Sequence, residues 1–202
     1  MIGKLVKSNS HTDYICQIYG TGEVESPPKA DAYAFGSFVR IPLGEDAGAL
    51  IGIVYDTMLL NPEFGTLGPR LSPEPDLAVF SPDYLAEKVT LVGIKAVGMV
   101  DGAGSVTQGV PPLAAHIDAP IVALDDAGVR AFHQMPDGRV QIGYAPVLLG
   151  QAHPLARHLL MCVLDRLRML FPEAAAHLDV VRHELTWQAY LGPLGGNARG
   201  AR

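Results

Sequence analysis

The feature that most constrains this chain is a pair of short apolar runs set between glycines. Phe35-Gly36-Ser37-Phe38-Val39-Arg40-Ile41 is followed by Ala49-Leu50-Ile51-Gly52-Ile53-Val54-Tyr55. Apolar residues recur at every second position, at Val39, Ile41 and Leu43 and again at Ile51, Ile53 and Tyr55. Period 2 is the repeat of a pleated strand, whose successive side chains point to opposite faces. Residues 2–8, 12–19, 38–43, 50–60 and 89–100 all read as strands of this kind. Short alternating strands spaced by turns predict a small antiparallel barrel. Such a barrel is a binding or assembly module more often than a catalyst.

The chain has 202 residues, 49% of them hydrophobic, enough for a sizeable core in one large domain or two small ones. Charges or glycines interrupt every apolar stretch before it reaches the roughly 18 residues of a membrane span. The opening Met-Ile-Gly-Lys-Leu-Val-Lys-Ser lacks the apolar segment of a secretory signal. These features read as a cytoplasmic protein. Cys16 and Cys162 form no C-x-x-C pair, so two buried free thiols are expected rather than a disulfide.

Charge divides the chain unevenly. Residues 1–129 carry seven Lys and Arg against sixteen Asp and Glu, a net of −9. Residues 130–202 carry eight arginines against five acids, a net of +3. An acidic barrel is a poor binder of duplex nucleic acid, whose affinity rests on phosphate neutralisation. A basic patch on the C-terminal helices stays open as an alternative, against the plainer reading of a solvated helix face.

The expected organisation is α+β: an N-terminal small antiparallel β-barrel over 1–100, a Gly/Pro linker over 101–120, a mostly helical C-terminal region over 121–194 and a flexible tail over 195–202. The barrel is interrupted between Asn61 and Pro82, where five prolines forbid a central strand. Phe64, Leu67, Leu71, Leu77 and Phe80 lie in that stretch. They either fold back over a barrel end or form a partner-binding surface.

Gly102-Ala103-Gly104-Ser105 and the Pro111-Pro112 pair mark the linker. A strand at 121–124 leads into a helix capped by Asp125 or Asp126 and ending near His133. Between Pro154 and Phe171 the apolar residues fall on one helical face, and Pro172 breaks the pattern and starts a further helix. The line Leu155, Leu159, Val163 and Leu167, flanked by Leu160 and Leu164, is wide enough to suggest self-association into a homo-oligomer. Leu178, Val181 and Leu185, with Trp187 or Leu191, carry the apolar pattern of the last helix.

No catalytic constellation is visible. The 102–105 glycines lack the Lys-Ser/Thr of a phosphate-binding loop, and no G-x-S-x-G elbow occurs. The pairs His153/His158 and His177/His183 have spacings of five and six, which do not place two rings on one helix face as zinc helices require. Asp125-Asp126 reads as a helix cap before a magnesium site. The expectation is therefore no catalytic residue, no metal and no cofactor.

The block Ile2-Gly3-Lys4-Leu5-Val6-Lys7-Ser8, the run Asp13-Tyr14-Ile15-Cys16-Gln17-Ile18, Gly36-Ser37-Phe38-Val39 and Ile51-Gly52-Ile53-Val54 together resemble the HAS-barrel. That domain is named for HerA-type DNA translocases and rotary ATP synthases. The Gln108-Gly109-Val110-Pro111-Pro112 step and the strand after it are similar to the segment beyond the barrel in stand-alone members. The resemblance covers residues 1–135. In multidomain relatives the barrel precedes a P-loop ATPase and helps to hold a ring or dock partners. This chain departs after the barrel, with no Walker motif and no room for a RecA-like domain, so ATP hydrolysis is not carried over.

The resemblance implies a non-enzymatic adaptor for a protein partner, a HerA-like ATPase or a nuclease in DNA processing. The alternative is a direct nucleic-acid binder or an unrecognised enzyme using C-terminal arginines. Arg157 and Arg168 would form its basic stripe, because eleven residues at 100° each return close to the same side of a helix.

Overall fold

A computed structural model describes residues 1–44, 46–61, 89–150 and 153–191, with side chains as far as residue 186 in the last helix. The expected surface at Phe64, Leu67, Leu71, Leu77 and Phe80, the tail over 195–202 and the side chains of Trp187 and Leu191 lie outside the described residues.

The strands are β1 (Gly3–Ser10), β2 (Asp13–Ile18), β3 (Phe38–Pro42), β4 (Ala49–Leu60), β5 (Val89–Val100), β6 (Val106–Gln108) and β7 (Pro120–Ala123). Six of them close a barrel in the order β1-β2-β5-β4-β3-β7 and back to β1, every neighbouring pair antiparallel. The short β6 lies on β5 beyond the end of β2, pairing Gly98–Val100 with Val106–Gln108. Closure leaves no bare edge between the six staves.

The strand expected to open the helical region is thus a stave of the barrel. β7 pairs with β1 through Gly3↔Ile121 and with β3 through Val39↔Ala123. The stretch expected to be a linker holds β6 and leads into β7, because it returns the chain to the gap between β1 and β3. Two compact units result, Met1–Leu124 and Asp125–Arg202.

Ile2, Leu5, Tyr14, Cys16, Ile18, Val39, Ile41, Leu50, Val54, Val92, Ile94, Ala96, Met99 and Ile121 form the packed interior of the first unit. The inward residues of β4 are therefore Leu50 and Val54, opposite Ile41 and beside Val39. The alternating set Ile51, Ile53 and Tyr55 lies on the other face and is buried as well. β4 is apolar on both faces, so its alternation could not by itself say which face points inward.

A bulge at Tyr55 breaks the β4–β5 register between Val54↔Ile94 and Asp56↔Gly93. It sends the Tyr55 ring over Gly93 of β5, where an added Cβ would lie 2.8 Å from the ring. The phenol then reaches β2, donating to Asp13 Oδ1 at 2.9 Å. One side chain thereby ties three consecutive staves together.

The second unit contains α1 (Asp126–His133), α2 (Ala145–Leu149), α3 (Ala156–Leu170) and α4 (Ala175–Leu191). Asp125 caps α1, accepting from the Gly128 N–H at 2.8 Å, a contact worth about 1 kcal/mol. α3 and α4 are joined through Phe171 and a 3₁₀ turn over Pro172–Ala174. Arg130 of α1 fastens that junction. Its guanidinium stacks 4.6 Å from the centre of the Phe171 ring and donates to the Leu170 carbonyl, with Glu173 at 3.9 Å.

Candidate functional site

Within the barrel unit, the backbone between Gly109 and Ala119 carries no regular structure, yet it is tied at both ends and in the middle. The Gly109 N–H donates to Val97 O at 2.8 Å, and the Asp118 N–H donates to Leu5 O at 2.9 Å. Leu5 returns a bond to Ala119 O at 2.9 Å. The β1–β2 turn supplies the central ties. His11 Nε2 donates to Pro111 O at 2.8 Å, which fixes that nitrogen as the protonated one. The buried Tyr14 hydroxyl donates to His11 O at 2.7 Å and accepts from the Ala115 N–H at 3.2 Å.

Pro111 and Ala119 of this segment are buried. Asp118 has φ +60°, a left-handed conformation that Asp tolerates better than most residues, in a turn closed by Ala119 N–H to His116 O at 3.3 Å. Three aliphatic side chains face solvent from the same segment: Val110 is 62% exposed, Leu113 45% and Ile117 59%. An apolar display on a fixed backbone is what a contact surface needs, since little ordering entropy remains to be lost on binding. A string of prolines and aliphatics with hardly a polar side chain, unlike a solvated linker, was the signal in the sequence.

The self-association line fares differently. Leu155 is 43% exposed, but Leu159 at 1%, Val163 at 0% and Leu167 at 0% are buried inside this chain. α3 packs against α2 and α4, and the wide leucine stripe serves that packing. Leu160 and Leu164, also buried, line a cavity with Ala145 and Leu178.

The arginines are largely engaged. Arg168 pairs with Asp179 at 3.1 Å and Arg182 with Asp165 at 2.7 Å, two rungs between the antiparallel α3 and α4. Arg166 pairs with Asp126 of α1 at 2.9 Å. Arg157 is exposed, but its companion in the expected basic stripe has its charge matched by an acid.

Burial pushes the Cys16 thiol up to about 12, which leaves it a neutral core side chain. Cys162 is also free but exposed, contrary to the expectation of two buried thiols, because it falls on the outer side of α3. Burial and the nearby Asp165 raise its pKa too.

One buried pair escaped sequence reasoning. His133 Nδ1 donates to Val129 O at 2.7 Å, so Nε2 is the acceptor for the Tyr144 hydroxyl, also at 2.7 Å. Burial, with a smaller push from Arg166, lowers the His133 pKa to about 4, against the upward pull of the Val129 carbonyl. Burial raises that of Tyr144. Phe132 packs its ring edge-on to His133 and stacks at 6.0 Å on Tyr144. The two polar groups satisfy each other in an aromatic cluster joining α1 to α2. Among the described residues no group of three His, Cys, Asp or Glu is arranged to hold a metal ion, and no helix is long and apolar enough to cross a membrane.

The whole architecture, barrel and helices together, falls within one family match. A family model described as "Domain of unknown function (DUF8166)" matches residues 1–194. The chain belongs to the DUF8166 family. No curated protein matches it. For this DUF8166 member, the pinned loop over 109–119 is where Val110, Leu113 and Ile117 stand exposed on a tied backbone.

Proposed function

We propose that this protein is a non-enzymatic assembly module whose barrel unit holds a protein partner, with Val110, Leu113 and Ile117 as contact residues. The supporting observation is their exposure on a segment tied through Gly109, Pro111, Ala115 and Asp118. The barrel's HAS-like motifs add the partner class, a HerA-like ATPase or a nuclease of a DNA-processing complex in the cytoplasm. A homo-oligomer belongs to the same reading, through a face other than the buried Leu159, Val163 and Leu167.

The nucleic-acid alternative through Arg157 and Arg168 has weaker support, because Asp179 already sits against Arg168. Burying one aliphatic anchor is worth roughly 1.5–3 kcal/mol, so losing two should weaken binding by 100-fold or more on the order of magnitude of that estimate. The test uses purified chain with the HerA-type ATPase, and separately the nuclease, of its own cell. Complex formation is followed by light scattering and titration, for the wild type and for Leu113→Asp/Ile117→Asp. The expected result is a wild-type complex that the double variant loses while keeping its circular dichroism. Failure to bind either protein overturns the partner class, and equal binding by both forms overturns the surface.

A further inference from the structure

We draw no further inference here: the strongest candidate, the apolar cavity of about 180 Å³ in the helical unit between residues 140–145, α3 and α4, has His177 as a polar lining residue, but nothing in the structure shows what covers it.

Discussion

Replacing His133 by Gln should remove a defined part of the acid sensitivity of the helical unit. In the folded protein His133 titrates at about 4, against 6.5 for a free imidazole. The folded state therefore holds fewer protons on this group than the unfolded state wherever the pH lies between those values. Stability must fall as pH drops through that window, and the contribution is flat above 6.5 and again below about 4. Each tenfold change in proton affinity is about 1.4 kcal/mol, so the whole effect cannot exceed about 3.5 kcal/mol. Near pH 5 the wild type should already have lost about 2 kcal/mol relative to pH 8 from this group alone.

Gln does not titrate and can still accept from the Tyr144 hydroxyl, so the variant keeps a polar partner in place. Urea unfolding followed by Trp187 fluorescence is a suitable assay, because this sole tryptophan lies on α4. The carboxylates titrate alike in both proteins and cancel in the comparison. The difference in stability between pH 8 and about pH 5 should be smaller in His133→Gln by about 2 kcal/mol. Equal pH dependence in the two proteins, or an NMR titration placing His133 near 6.5, would refute the argument that burial holds it neutral.

Tyr144→Phe should leave His133 Nε2 without its donor and cost about 1–3 kcal/mol, measured by the same unfolding. Gly93→Ala should force the Tyr55 ring off β5 and destabilise the barrel unit by about 1–3 kcal/mol; a double variant with Tyr55→Ala should lose less than the sum, as a thermal-melt cycle would reveal. Arg130→Ala removes the guanidinium over Phe171 and the donor to Leu170 O, with an expected loss of about 2 kcal/mol in chemical unfolding. Arg157→Ala/Arg168→Ala should leave any retention on a DNA column unchanged at low salt, whereas a marked loss would restore the nucleic-acid alternative.

Much of the fold was legible because local chemistry and tertiary demand agree. The period-2 runs mark five strands to within a few residues of β1 to β5, and Asp125 caps the helix where a short acidic residue before an apolar pattern should. Legibility failed where only long-range pairing decides. β7 is four residues, Pro120–Ala123, opening on a proline, and nothing local says that it must fill the gap between β1 and β3. Closure of the barrel says so. Likewise β4 is apolar on both faces, and only its register with β3 and β5 assigns Leu50 and Val54 to the interior.

The candidate contact residues divide along the same line. A leucine stripe on a lone helix cannot distinguish a partner in another chain from one farther along the same chain. Here α2 and α4 cover it, and the spare capacity of Leu159, Val163 and Leu167 disappears. The arginines obey the same logic: Arg168 and Arg182 meet Asp179 and Asp165 only because α3 and α4 run antiparallel in one register. Folding consumes surfaces that sequence offers as free. The converse holds for Val110, Leu113 and Ile117, which look like an idle linker until Tyr14 and His11 are seen to hold their backbone. A flexible linker would have to lose roughly 1–2 kcal/mol of backbone entropy per residue on binding, and a segment already ordered loses far less. More of the free energy of burying those three side chains against a partner would therefore be left for affinity, which is why this loop carries the binding proposal.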